Sequence, residues 1–248
     1  MLPNQICKVL STIQKHQVRA LLMGGQACVV YGSAIFSRDI DFAILAEQSN
    51  LSRLQTALQE LQAEVIAVPP FELQYLDEGL AVHFRCRHPE ADDMRVDVMS
   101  RMRGVAEFEE VWNRRTTAEL ADGTPVEVMG ISDLVQAKKT QRDKDWPMVT
   151  RLVDWNYKVN FQTPTLRQIE FWLAESRTPE VLIALVERFP AESRDATRPA
   201  VIAAKSANHP AIIAALRSEE DAEREADRVY WAPLRARLER LRRAHRQK

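Results

Sequence analysis

Cysteine is scarce and its spacing suggests no chemistry. Cys7, Cys28 and Cys86 are odd in number, far apart, and free of any Cys-x-x-Cys pattern. That excludes a zinc ribbon or a thioredoxin-like redox pair and predicts buried, reduced thiols. Long hydrophobic runs are missing too. Nowhere do eighteen apolar residues follow one another, so no membrane span is expected. Met1 to Lys15 lacks the basic start and apolar run of a signal peptide, and a cytoplasmic protein is the expectation. Nor is there an excess of one charge. Lys and Arg number 34 against 35 Asp and Glu, so the whole molecule gives no electrostatic pull toward nucleic acid or membrane. What remains is ordinary globular composition, 46% hydrophobic and 28% charged over 248 residues, enough for one large domain or two modest ones.

Hydrophobic spacing divides the chain by character. Ile6, Val9, Leu10 and Ile13 recur at helical intervals between Asn4 and Gln17, with Asn4 as N-cap. Val18 to Met23 reads as a short buried strand ended by Gly24-Gly25, and Gln26 to Tyr31 as a helix leaving that turn. Ile40 to Leu45 is a second strand, followed by a helix from Asn50 to Glu64 with a usable cap in its opening Asn50-Leu51-Ser52 and with Leu51, Leu54, Leu58 and Leu61 on one side. Val65 to Val68, Leu80 to Cys86 and Met94 to Met99 are further strands, the last two joined by a turn over Arg87 to Asp93. Thr116 to Leu120 and Pro125 to Met129 flank Ala121-Asp122-Gly123-Thr124, a hairpin signal. Interleaved strands and helices give an α+β fold.

After Ile131 the pattern turns helical. Ser132 is positioned to cap Asp133 to Gln141, and Asp145 to cap a helix with Pro147 in its first turn. Pro164, Pro179, Pro190, Pro199, Pro210 and Pro233 then punctuate several short helices, with no fixed-period repeat. A boundary near residue 160 divides residues 1–160 from a helical region, 161–248.

The chemistry is concentrated at two aspartates. Asp39 and Asp41, in Ser37-Arg38-Asp39-Ile40-Asp41, follow Gly24-Gly25 after thirteen residues. On a strand they share one face, with Ile40 and Phe42 on the other. Paired carboxylates suit a hard cation such as Mg²⁺. Glycines let a backbone turn approach phosphate. In Arg95-Val96-Asp97-Val98-Met99, Arg95, Asp97 and Met99 likewise share a face. Three acids at the same end of adjacent strands would complete a two-metal site for phosphoryl displacement. Each feature also has a plainer reading: Asp-x-Asp as a turn, Gly-Gly as any tight turn, Asp97 as a strand acid paired with an arginine. The order of strand, glycines, helix, loop and Asp-Ile-Asp favours the site.

These residues resemble the polymerase-beta-like nucleotidyltransferase superfamily. Leu22-Met23-Gly24-Gly25 and Asp39-Ile40-Asp41-Phe42 look like its signature, and Asp97 stands where its third carboxylate falls. Asp133-Leu134-Val135-Gln136-Ala137-Lys138 and Arg142-Asp143-Lys144-Asp145 are similar to the Asp-x(4)-Lys and Arg-x-Lys-Asp elements of bacterial nucleotidyltransferases related to abortive-infection toxins. The likeness covers residues 18–160 and implies a nucleotidyltransferase-like mixed sheet flanked by helices, ahead of the helical C-terminal region. It further implies that Asp39, Asp41 and Asp97 hold Mg²⁺ (or Mn²⁺) and that Asp97 helps activate the acceptor. Gly24 and Gly25 would offer N–H groups to the NTP phosphates, and Lys138 and Lys144 would line the triphosphate. Many relatives carry Ser at the second glycine; Gly25 departs from that pattern. Arg38 would neutralise phosphate or pair with Asp41. Lys138 has the alternative of a solvated helix face, and Asp145 that of a helix cap.

Metal activation leaves no need for a histidine base, so His16, His83 and His88 are read as structural. Near the C-terminus, Glu219 to Asp227 holds six acids against Arg224, and Ala232 to Lys248 seven basic residues against Glu239. Leu234, Leu238 and Leu241 give the latter a helical stripe that would hold RNA phosphates or pair with the acidic run. Three classes of function follow: an active nucleotidyltransferase acting on RNA, protein or a small molecule; that chemistry used as a toxin–antitoxin or defence component; and a nucleotide-binding module of the same fold without catalysis. Retention of all three carboxylates argues against the last.

Overall fold

The computed structural model describes residues 4–34 and 36–247; Met1 to Pro3, Ile35 and Lys248, the extremities of the N-terminal segment and basic run among them, lie outside the described residues. Its strands are β1 (Ala20–Met23), β2 (Asp39–Ile44), β3 (Glu64–Val65), β4 (Val82–Arg85), β5 (Arg95–Met99), β6 (Thr116–Glu119) and β7 (Pro125–Val128). They form one seven-stranded mixed sheet in the order β3-β4-β5-β2-β1-β7-β6. β2 runs parallel to β5 and antiparallel to β1, and β7 runs parallel to β1. The fold is α+β.

Alternation decides how the central strands face. Ile40, Phe42 and Ile44 of β2, Val96 and Val98 of β5, and Val82 and Phe84 of β4 are buried on one side. Against the core lie helix Asn4–Lys15, through Ile6, Val9, Leu10 and Ile13, and helix Gln48–Glu60, through Leu51, Leu54 and Leu58. Each such side chain contributes about 1.5–3 kcal/mol by leaving water. The other faces of β4, β5 and β2 carry His83, Arg85, Arg95, Asp97, Asp39 and Asp41. The core thus fixes the strands whose opposite side bears the chemistry.

Several local expectations are corrected. The strand at Val65 to Val68 shrinks to Glu64–Val65, because Pro69 and Pro70 cannot donate to a ladder. Helices Leu73–Asp77 and Phe108–Asn113 occupy stretches with no anticipated element. Asn50 is inside its helix rather than capping it, its side chain bridging Arg19 and Leu45. Ser132 lies inside helix Ile131–Lys138 instead of capping it. Asp145 precedes helix Trp146–Asn160 without a capping hydrogen bond from its side chain. Cys28 and Cys86 are buried, Cys7 is only partly so, and no disulfide joins them.

The chain divides into two compact units: Met1–Val30, Ala34–Ala137 and Tyr230–Lys248 form one, and Tyr31–Ser33 with Lys138–Val229 the other. The second is helical. Thr165 and Gln168 form a reciprocal capping box that starts helix Leu166–Glu175. Trp172 in that helix is fully buried, its Nε1–H donating to Asn156 at 2.8 Å and its ring edge-on to Tyr157. Arg198 clamps the unit by donating to the carbonyls of Leu173 and Ser176 while pairing with Glu219.

Pro210 stands in the first turn of a new helix as its spacing suggested, but Pro233 does not break the chain. One helix of 38 residues, His209–Arg246, runs through Pro233, which removes a single backbone donor. The acidic and basic runs of that helix do not pair with each other among the described ion pairs. Glu219, Glu220 and Glu223 engage Arg198, Arg224 and Lys139, and Arg237 engages Glu78. No helix of the described residues is long and apolar enough to cross a membrane.

Trp172→Ala is expected to destabilise the helical unit by about 3–5 kcal/mol, measured as a shift in its urea transition. A change under about 1 kcal/mol would contradict the packing described.

Candidate functional site

Strand register assembles the site from three separated segments. Asp41 of β2 lies opposite Asp97 of β5, and Asp97 opposite His83 of β4. One row therefore crosses three strands as His83, Asp97 and Asp41. A second row sets Asp39 opposite Arg95. Neighbouring strands stand about 4.8 Å apart, so these groups are within direct electrostatic reach. Asp39 is exposed, while Asp41 and Asp97 are partly covered.

Gly24 closes the site on its other side. Met23 ends β1 opposite Asp41, and Gly24 opens helix Gly24–Val30 with φ of +66°. A Cβ on Gly24 would stand 1.8 Å from Asp41 Oδ2, which no side chain could accept. The Asp41 carboxylate thus occupies the room that glycine leaves. Gly25 has a similar relation to the next loop: a Cβ there would lie 2.4 Å from Ser37 Oγ. Gln26 ties this loop down by donating to the Ser37 carbonyl at 2.7 Å. Arg38 is exposed beside Asp39.

Asp97 is the most constrained of the carboxylates. Arg95 donates from Nε to Oδ1 and from a terminal nitrogen to Oδ2, each at 2.9 Å, a two-bond fork. His83 Nδ1 lies 2.9 Å from the same Oδ1 and 3.2 Å from the Arg95 guanidinium. Burial pushes the Asp97 carboxyl up, but the hydrogen bonds from His83 and Arg95 outweigh it and leave the carboxyl below its ordinary value. Arg95 is held above its own ordinary value by the hydrogen bond to Asp97, with the charges of Asp39 and Asp41 adding to the effect. Among the described residues, no three His, Cys, Asp or Glu side chains converge where one metal ion could sit.

Of the two partners of Asp97, an arginine was among the plainer sequence expectations, and His83 was not. Arg95 was visible two residues away on the same strand face. His83, read as structural, comes to Asp97 through β4–β5 register, which sequence spacing does not specify. Lys138 and Lys144 belong to the second unit. There Lys138 is buried rather than a solvated helix face, its Nζ 3.5 Å from Asp145, and Lys144 is exposed. Asp145 gathers Thr140 at 2.6 Å and Arg142 at 2.7 Å as well. Burial raises its pKa, but the Lys138 charge and the Thr140 hydrogen bond leave it lowered.

No protein-family model matches the chain, and no curated protein matches it. Solved structures similar to it include two of one enzyme. One is the solution structure of the antibiotic-resistance factor ANT(2'')-Ia, 13% identical, covering 98% of this chain and 96% of that one, with a TM-score of 0.35. The other is the crystal structure of ANT(2'')-Ia with adenylyl-2''-tobramycin, 14% identical, covering 86% and 95%, with a TM-score of 0.34.

Two outcomes follow from the geometry. Gly24→Ala is expected to destabilise the fold by at least roughly 1–3 kcal/mol from backbone strain alone, read from chemical denaturation; an unchanged midpoint would contradict the Asp41 contact. Asp97, with its folded pKa depressed below 3.8, stabilises the fold fully at higher pH and loses that contribution as pH falls through the folded value. Arg95→Gln removes a lowering contact and is expected to move the acid limb of the stability–pH curve upward. An acid limb that stays in place would count against the fork.

Proposed function

We propose that the protein transfers a nucleoside monophosphate from an NTP to an acceptor hydroxyl, releasing pyrophosphate, with Mg²⁺ or alternatively Mn²⁺. The observation that carries this reading is the Asp41 carboxylate filling the space of the absent Gly24 side chain. The Gly24 turn and one of a pair of oxygen ligands are thereby in direct contact. Asp39 and Asp41 fit a hard divalent ion, being oxygen donors on one strand face with access to solvent.

Bound there, the ion would neutralise charge that develops at the phosphoryl group. The chain's own residues do the rest. From the family resemblance, Gly24 and Gly25 would offer backbone N–H groups to the triphosphate, and Arg38 would add positive charge beside Asp39. The acceptor hydroxyl gives up its proton to solvent, its oxygen bonds to the α-phosphorus as the bond to the α–β bridging oxygen breaks, and pyrophosphate departs. Asp97, opposite Asp41 in the register, would help activate the acceptor hydroxyl, a role that comes from the family resemblance. Lys138 and Lys144 enter as triphosphate contacts only through the family resemblance. RNA, a protein or a small molecule remains as acceptor, and a toxin–antitoxin or defence role would be the same chemistry in use.

A second reading, a nucleotide-binding module without turnover, is favoured by one observation: both Asp97 oxygens are already engaged by Arg95. Incubation with Mg²⁺, each labelled NTP and a cell extract separates the two. Activity predicts pyrophosphate and a labelled RNA, protein or small-molecule fraction. Asp39→Ala with Asp41→Ala should lower that rate by about a thousandfold, the equivalent of several kcal/mol of metal stabilisation. Labelling that survives the double change would sink the assignment, and tight NTP binding without product would favour the module.

A further inference from the structure

We infer that the basic end of helix His209–Arg246 is a docking surface for the phosphate backbone of a nucleic acid. The inference stands apart from nucleotidyl transfer and does not depend on what receives the nucleotide.

The basic end belongs to the first unit, which includes Tyr230–Lys248. Its burial has a helical period. Tyr230, Trp231, Leu234, Arg237, Leu238 and Leu241 are half-buried, and every other residue from Ala232 to Gln247 is exposed. The half-buried side is fastened to that unit. Arg237 donates to both carboxylate oxygens of Glu78, at 2.8 and 3.1 Å, and a Cβ on Gly79 would touch the Tyr230 hydroxyl and Leu234. The leucine stripe thus faces protein and leaves the remaining arginines to solvent.

Arg235, Arg242 and Arg246 succeed one another at intervals of seven and four residues, which sets them in one line, with Arg243 beside it. That line is about 16 Å long, a length over which a duplex carries roughly ten negative charges. Glu239 is the one acid within it, 4.0 Å from Arg243. Attraction to the helix dipole explains cations in the last turn and none earlier. Arg242 and Arg246, one turn apart, repel each other, and a polyanion would relieve that repulsion. The chain as a whole has a net charge of -1, so this concentration of arginine is a local feature. No large apolar side chain between Tyr230 and Gln247 is exposed. The surface therefore lacks the apolar face that sinks a helix into a bilayer and the apolar anchor of a protein interface. Guanidinium forks match phosphate oxygens, which leaves a nucleic-acid backbone as the partner that fits.

Fluorescence anisotropy of the full-length protein tests the surface without turnover. The probes are a labelled RNA strand, the RNA duplex and the DNA duplex of the same sequence, titrated between about 50 and 200 mM salt. Binding should weaken steeply with salt. Arg242→Gln, Arg243→Gln and Arg246→Gln together should weaken it at least about tenfold and flatten the log–log salt slope by about 2–3. The matching lysine changes keep the charge and should keep the slope. An equal loss of charge in the other unit, by Arg151→Gln, Arg167→Gln and Arg217→Gln, should leave affinity within about twofold. Circular dichroism confirms folding of each variant. Tighter binding of either RNA than of DNA would support the inference and identify RNA as the partner; equal binding would support it for the backbone alone. No nucleic acid bound at about 50 mM salt, or equal weakening by the two glutamine sets, would overturn it. Phosphatidylserine vesicles bound in place of all three probes would overturn it in favour of a membrane surface.

Discussion

A missing side chain organises the site. Gly24 turns the backbone out of β1 at a positive φ, and its open side is filled by the Asp41 carboxylate. Any other residue there would collide with Asp41, and any shift in the β1–β2 register would move the carboxylate off the turn. The pairing of Met23 with Asp41 is therefore a constraint on the core as much as on the chemistry. Leu21, Leu22, Ile40, Phe42 and Ile44 hold that register by burial. The apolar face of the sheet thus determines which polar atoms meet on the other face.

Charge organises the opposite end of the same row. Asp39, Asp41 and Asp97 would repel one another at strand spacing if left alone. Arg95 sits within the group and relieves part of that repulsion, while His83 flanks Asp97 from β4. The helical unit repeats the principle at a distance from solvent. Asp145 is nearly buried but accepts from Thr140 and Arg142 and pairs with Lys138, and Arg198 satisfies two carbonyls as well as Glu219. Buried charge in both units is tolerated because each group has several partners.

The fold class and the carboxylate faces were legible because they depend on alternation. Period-two patterns in β2 and β5 give the shared face of Asp39 and Asp41, and that of Arg95 and Asp97, without tertiary information. The meeting of Asp41 with Asp97, and of Asp97 with His83, depends on register between distant strands and was not legible beyond a common strand end. Proline misled where tertiary packing carried a helix through it, at Pro233. Capping residues misled where the side chain had better partners: Asn50 bridges Arg19, just before β1, to Leu45, just after β2, and Asp145 binds its own loop. Lys138 read equally well as a solvated residue, and only the fold brings Asp145 to it.

The most direct test of the account is a crystal structure with Mn²⁺ and a non-hydrolysable NTP analogue, with the ion located by anomalous scattering. The account predicts Mn²⁺ at the carboxylates of Asp39 and Asp41 and phosphate oxygens against the Gly24–Gly25 backbone. Mn²⁺ and nucleotide bound away from Asp39 and Asp41 would contradict it.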